Sequence, residues 1–347
     1  MPTGIIHQTD LFRPYNDPDD HWDLACVYAL AARGAFTLRG ILIDAPPQPR
    51  FNPDVEAVAQ MNALHALAVP CVVGAAQPLR TPGEMLADRD PAERAAAAWL
   101  LKMLDAAEDP VLITVVGSCR DVALAATTSP ELFRRRCAGV YLNAGYGAPR
   151  VDENWELEYN VQRDVAAYRA MFGLPCPLYW LPCFQDGRRG EVTEWGTLWW
   201  FRQSQILEGL SPALQRYFAY ALGRGADPHG WFQYLRGGEP QAAMDELGED
   251  IRSMWSTAGL LHAAGMTVGP GGELVALGTP AIDPVFEFVP VRVRCSEGGQ
   301  TRWDRHVASD NRYLFRVRHP DLYCEAMRRA LDAVLQSGGE SHDQSHD

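Results

Sequence analysis

No stretch of this 347-residue chain approaches the ~18 uninterrupted apolar residues of a membrane-crossing helix. The richest runs, such as Ala95–Leu101, are helix-sized and rich in alanine. Basic runs are missing too: Lys and Arg total 31 against 44 Asp and Glu, a formal charge of −13. Nothing in the chain would displace counterions from a phosphate polymer, so general nucleic-acid binding is excluded as a reading, and anionic membrane surfaces are disfavoured. The N-terminal MPTGIIHQTD has neither a basic region nor an apolar core, so no signal peptide is expected. The eight cysteines show no CxxC or CxxH spacing, which disfavours zinc and disulfide frameworks. Reduced, buried thiols and a cytoplasmic protein are expected. No internal repeat is evident.

What is present is an alternation of short β-rich runs and helical patterns. Strands are read at Gly4–Thr9, Leu38–Ile43, Pro70–Gly74, Val111–Gly117 and Gly139–Asn143. Helices are read at Trp22–Ala32, Val55–Leu67, Ala92–Ala107, Asp121–Ala126, Pro130–Arg136 and Asp164–Phe172. Continuous apolar strands separated by helices predict an α/β fold, an open, doubly wound, mostly parallel sheet covered on both faces. Residues 178–262 change character: Trp180, Trp195, Trp199, Trp200, Trp231 and Trp255 fall there outside any strand pattern. That stretch reads as a helical, tryptophan-rich lid inserted into a single domain spanning residues 1–335. Strands return at Val285–Val293 and Tyr313–Val317, Asp321–Leu335 closes as a helix, and the polar tail 336–347 reads as disordered.

The densest chemical signal is Thr9-Asp10 at the end of the first strand, followed by Asn16-Asp17-Pro18-Asp19-Asp20 at the head of a helix. Ligands of open α/β sheets bind outside the carboxyl ends of the strands, where Asp10 falls. Acids also suit a helix N-terminus, which accounts for one or two of these but not for all four within eleven residues. Gathered carboxylates repel unless a cation neutralises them or one keeps a proton. Oxygen ligands without Cys or paired His suit Ca²⁺ or Mg²⁺, the other reading being an acidic surface turn.

This segment resembles the signature of the inosine–uridine-preferring nucleoside hydrolases, a strand ending in D-x-D followed by D-D at a helix head. The likeness continues through Asn62-Ala63-Leu64, Pro70–Leu79, Val111–Ala125, Val140–Gly145, Glu158-Tyr159-Asn160 with Asp164, Ile282-Asp283-Pro284 and Gly299–Asp304, in order over Gly4–Leu335. The resemblance implies one Ca²⁺ held by Asp10, Asp20, Asp283 and the backbone carbonyl of Leu142. It implies hydrolysis of the N-ribosidic bond of a nucleoside or related ribosyl compound by a metal-held water, with Asp10 as general base. Asp19, Glu158, Asn160 and Asp283 would bind the sugar, and an oxocarbenium-like transition state would be stabilised by the nearby carboxylates. Family members are dimers or tetramers, so a homo-oligomer is implied.

Four positions depart from the family pattern. Gln8 replaces the first Asp of D-x-D, and Leu11–Asn16 lengthens the loop before the acidic pair. Ile43-Asp44-Ala45-Pro46-Pro47 stands where the family has T-x-x-G-N, and Ile282 replaces the His of H-D-P, a leaving-group acid in one branch. Another branch activates purines by aromatic stacking, for which Trp195, Trp199, Trp200, Trp231 and Trp255 are candidates; His229 and His262 are the available replacement acids. The departures leave open a diverged protein that binds metal and ribosyl ligand without turnover, or a hydrolase of another glycosidic substrate.

Overall fold

A computed structural model of the chain describes residues 3–12, 17–44, 53–223 and 241–336. Asn16, His229, Trp231 and the tail from residue 337 lie outside the described residues. Its centre is an eight-stranded sheet in the order β11-β14-β6-β5-β4-β1-β2-β3, parallel throughout except for the antiparallel edge strand β11. The strands are β1 (Gly4–Thr9), β2 (Thr37–Ile43), β3 (Cys71–Val73), β4 (Val111–Val115), β5 (Cys137–Asn143), β6 (Leu178–Leu181), β11 (Phe286–Pro290) and β14 (Arg312–Val317). Three two-stranded ribbons complete the set: β7 (Trp199–Arg202) with β8 (Ile251–Met254), β9 (Met266–Val268) with β10 (Leu274–Ala276), and β12 (Arg292–Cys295) with β13 (Thr301–Asp304). The expected doubly wound α/β architecture is the observed one.

Successive residues of a strand face opposite sides, so a strand buried on both faces feeds two cores. Ile5 of β1 joins one core with Trp22, Tyr28, Phe218 and Leu331, while Ile6 joins the other with Leu100, Leu104, Leu124 and Met171. The first face is covered by α1 (Pro18–Ala32), α2 (Pro53–Leu64), α9 (Pro212–Gly223), α11 (Thr257–Ala263) and α12 (Pro320–Gln336). The second carries α3 (Pro91–Ala106), α4 (Arg120–Thr128), α5 (Pro130–Arg136), α6 (Tyr159–Arg163) and α7 (Val165–Met171). Two short helices, α8 (Ser204–Leu207) and α10 (Gln241–Gly248), pack near the β7–β8 ribbon.

The stretch 178–262 departs from the expected helical lid. It begins with a central strand, β6, paired with β5 and β14, and carries the β7–β8 ribbon. The four residues of β6 sit between Pro177 and Pro182, too short an apolar run for periodicity to identify. The sheet also places its own crevice. The chain runs outward from β1 through β2 to β3, then returns to the other side of β1 as β4. Strand order therefore reverses between β1 and β4, the place where open sheets bind ligands. Asp10 leaves β1 there, and Val116 leaves β4 beside it.

Candidate active site

Helix α1 brings most of the acids to this edge. Proline at its first position presets the helical φ, and Asp17 precedes it as the capping residue. Asp19 through Leu30 are all buried, because α1 is wrapped by α2, α9, α11 and α12 as well as by the sheet. Polar groups on such a helix need internal partners. His21 Nδ1 shares a 2.8 Å hydrogen bond with the Tyr217 hydroxyl, and Trp22 Nε1 donates to Gln203 Oε1 at 3.2 Å. Asp23 accepts from Thr257 Oγ1 at 2.8 Å.

Asp20 reaches back to the end of β1, where its Oδ2 accepts from Thr9 Oγ1 at 2.7 Å and from the Asp10 backbone N–H at 3.1 Å. Asp10 is 2% exposed, and neither oxygen of its carboxylate meets a hydrogen-bond donor. It lies against the Cα of Gly117, where a Cβ would collide with it. Burial, then the negative charges of Asp20, Asp17 and Asp44, push the Asp10 carboxyl well above the usual range, while Arg163 opposes them. Burial likewise pushes Asp19 up to about 7 and Asp20 up to about 8. The carboxylate oxygens of Asp19, Asp20 and Asp23 lie within 4.8 Å of one another.

Above these acids is a cavity of about 220 Å³ lined by Asp17, Asp19, Asp20, Val116, Asn143, Glu158, Tyr159, Asn160, Cys183, Phe184, Arg189 and Trp255. That is somewhat below the ~300–1,000 Å³ of pockets for drug-sized ligands, and suits one small compound. Glu158 caps α6: its Oε1 accepts from Asn160 N at 2.9 Å and its Oε2 from Gly145 N at 2.8 Å. Asn160 Nδ2 donates to the carbonyls of Val116 (2.8 Å) and Asn143 (3.2 Å), tying the ends of β4 and β5 together. Trp255 meets Phe184 edge to face, with centroids 6.0 Å apart.

The structure therefore brings Asp10, Asp19, Asp20, Glu158 and Asn160 to one edge of the sheet. It does not bring Asp283 there. Asp283 precedes β11, five strands from β1 in the sheet order, roughly 24 Å at the usual spacing of neighbouring strands. Its side chain is 57% exposed and paired with Arg318 at 2.7 Å and His319 at 2.9 Å. Ile282 belongs to the same remote turn. The chain returns to the cavity earlier instead, at Trp255, two residues before α11. Leu142 is corrected as well: it is fully buried inside β5, between Val115 and Trp180, and the carbonyls beside the cavity are those of Val116 and Asn143.

Among the tryptophans, Trp255 lines the cavity. Trp195 packs on Trp303, Trp199 is buried against Phe201, and Trp200 faces solvent. His262 is absorbed in an aromatic cluster, its Nδ1 2.7 Å from the Tyr141 hydroxyl, and burial pushes it down to about 4. Asp44 proves to be a site neighbour. It is 2% exposed, its Oδ2 accepts from Ser118 N at 3.2 Å with Arg163 3.8 Å away, and its Oδ1 is unpartnered. Gln8 holds the same loop, donating from Nε2 to the Ser118 carbonyl at 2.7 Å. Asp23, Ser256 and Thr257 lie next to the cavity-lining residues without lining the cavity themselves: Asp23 beside Asp19 and Asp20, Thr257 bonded to Asp23, and Ser256 bonded to Asn143. The signal for Asp23 was its spacing of three and four from Asp20 and Asp19, which shares a helix face with both.

The donor set is all hard oxygen, with unpartnered buried carboxylate atoms at Asp10 and Asp23. Such a set fits a divalent cation of the Ca²⁺ or Mg²⁺ type.

No family model matches the chain, and no curated protein matches its sequence. Solved structures do match over nearly the full length. An inosine–guanosine nucleoside hydrolase superposes with a TM-score of 0.55 at 14% identity, covering 96% of this chain and 99% of that one. The purine-preferring ribonucleoside hydrolase of Gardnerella vaginalis gives 0.56 at 11% identity, covering 96% and 100%. The type III effector XopQ, solved with adenosine diphosphate ribose, gives 0.55 at 15% identity, covering 97% and 93%. A strand order that reverses at β1, an acidic cavity at that reversal and superposition along the whole length agree: this chain has the fold of the nucleoside hydrolases.

Proposed function

We propose that the protein hydrolyses the N-glycosidic bond of a nucleoside or related ribosyl compound. The observation that carries this reading is Asp10, a buried carboxylate with both oxygens unpartnered at the switch point of the sheet, beneath a cavity walled by Asp19, Glu158 and Asn160. A carboxylate does not stay buried and unbonded without cost, and the arrangement is held in place by Asp20, Thr9 and Gly117.

Asp10 takes a proton from the attacking water as general base. Asp19 and Asn160 bind sugar hydroxyls. The carboxylates of Asp17, Asp19 and Glu158 offset positive charge as the ribosyl carbon becomes oxocarbenium-like. Trp255, Phe184 and Tyr159 supply aromatic surface for the leaving group, and the likeness in fold to an inosine–guanosine and a purine-preferring hydrolase supports a purine there. A divalent cation, Ca²⁺ in the family this chain resembles, would be held by Asp10 and Asp20, would compensate the clustered charge and would favour ionisation of a nearby water.

The test is incubation of purified protein with Ca²⁺ and a panel of purine and pyrimidine nucleosides, followed by a reducing-sugar assay for free ribose. Ribose release by wild type and a loss of about 10²–10⁴-fold in Asp10→Asn are expected. No release from any member of the panel, with wild type and Asp10→Asn equally inert, overturns the proposal for these substrates. Release of adenine from adenosine diphosphate ribose, with no ribose from nucleosides, would shift the substrate to the ligand solved with XopQ.

A further inference from the structure

With Asp283 removed to the outer edge of the sheet, the cation site is short of one carboxylate. Trp255 returns to the cavity in its place, and the two residues that follow it, Ser256 and Thr257, carry hydroxyls. Facing them from α1 is Asp23, fully buried, in a helix position where a charged side chain gains nothing from solvent. Thr257 Oγ1 donates to its Oδ1 at 2.8 Å and fixes the carboxylate, while Oδ2 is buried without a partner. Ser256 donates to Asn143 Oδ1 at 3.2 Å on the same side. Among the described residues, no arginine or lysine forms an ion pair with Asp10, Asp19, Asp20 or Asp23. Independently of this helix cluster, Asp10 arrives from β1 with two more unpartnered oxygens, joined to the cluster through Asp20.

We propose that Asp23 is a ligand of the divalent cation, so that α1 provides the carboxylate which the sequence resemblance assigns to Asp283. This rests on the reading that the site binds a cation at all. Asp20 and Asp23 are three residues apart and Asp19 and Asp23 four apart, so their side chains share a face of the helix. Like charges at that spacing destabilise a helix, and three buried ones are held together by retained protons or by a cation between them, the cation being what lets them ionise at neutral pH. Ca²⁺ accepts six to eight oxygens in flexible geometry, so one ligand can come from a different element without the others moving.

Terbium, an oxygen-seeking stand-in for Ca²⁺, reports on the site through luminescence sensitised by the cavity tryptophan, Trp255. Titration of the full chain with Tb³⁺, and displacement by Ca²⁺, is expected to show one site in wild type. Asp23→Asn, which keeps the shape and an oxygen for Thr257, is expected to weaken binding at least tenfold, and Asp283→Asn to leave it unchanged. Thr257→Ala, which leaves the carboxylate but frees it, is expected to weaken binding several-fold and covers the case in which Asp23→Asn does not fold, as judged by circular dichroism. Wild-type affinity in Asp23→Asn, or loss of binding in Asp283→Asn, overturns the assignment of Asp23 while leaving the cation reading intact. Absence of both Tb³⁺ luminescence and any Ca²⁺-dependent change in melting temperature of wild type overturns the two together.

Discussion

Asp10 is held by the absence of a side chain. Gly117, just past β4, lets the carboxylate lie on its Cα, and the Asp10 backbone is tied to Asp20. A methyl group at that point has nowhere to go except into the carboxylate. Gly117→Ala is therefore expected to displace Asp10 and lower ribose release by about 10²-fold, the scale of loss expected when a reacting group is misplaced by ~1 Å. Melting should change far less than activity, so circular dichroism alongside the ribose assay separates displacement from unfolding. The neighbouring departures read differently in three dimensions: Gln8 and Asp44 both bind the Ser118 backbone and shape the loop beneath Asp10. Each also leaves a buried oxygen unpartnered, Gln8 Oε1 and Asp44 Oδ1.

The elements around the cavity are joined by buried polar links as well as by apolar packing. Arg120 at the start of α4 is 2% exposed, with its Nε 3.0 Å from Asp164 Oδ2 and its Nη1 bonded to the carbonyls of Ala75 and Ala76. Asp164 also caps α7 through Ala167 N and accepts from Leu79 N. One ion pair thus ties the loop after β3 to α4 and to the α6–α7 junction, whose first residues line the cavity. Removing one partner of a buried pair leaves the other charged and unbonded, which costs about 3–5 kcal/mol. Arg120→Met should lower unfolding stability by that amount in urea melts, and Arg120→Lys should recover little, because an ammonium cannot reach the same fan of carbonyls.

At the scale of the whole molecule, the formal charge of −13 is mostly spread surface charge, while the few acids at the sheet edge tie stability to pH. Asp19 near 7 and Asp20 near 8 stand above the ~4 of an unfolded carboxylate, so the folded state holds more protons between those limits. Their contribution is fully present below about pH 4 and is lost as pH rises towards about 8. Glu325, held down to about 2 by Arg328 and Arg329, is ionised throughout the upper part of this window and does not offset the trend. Buried His7 and His262, held down to about 3 and about 4, add stability as pH rises to about 6.5, so the fall in melting temperature of chelator-treated protein is expected from pH 7 to pH 8 in calorimetry. Added Ca²⁺ should reverse the fall, most strongly at pH 8, and stabilise by about 2.7 kcal/mol at one hundred times its dissociation constant. A melting temperature that rises over this range without cation would show that the acids are not protonated as described. Among the described residues no helix is long and apolar enough to cross a membrane.

The sequence by itself determined the α/β class, the burial of β1 and β4, and the convergence of Asp10, Asp19 and Asp20. These follow from chain-local facts: apolar runs with a known period, and a strand end separated from a helix head by one short loop. It also held the case for Asp23, as a helical spacing, although a comparison of motifs passes over it. Only the tertiary structure decided which distant segment meets that acidic turn. Ile282-Asp283-Pro284 matches three letters, yet strand order carries it to β11, while Trp255-Ser256-Thr257, with no matching letter, comes back over α1. For the same reason Val116 replaces Leu142 at the cavity, since the register of β4 against β5 sets which carbonyl emerges at the edge. Local geometry is written in neighbouring residues. The pairing of remote ones depends on sheet order and register, which many short, weak apolar segments settle together.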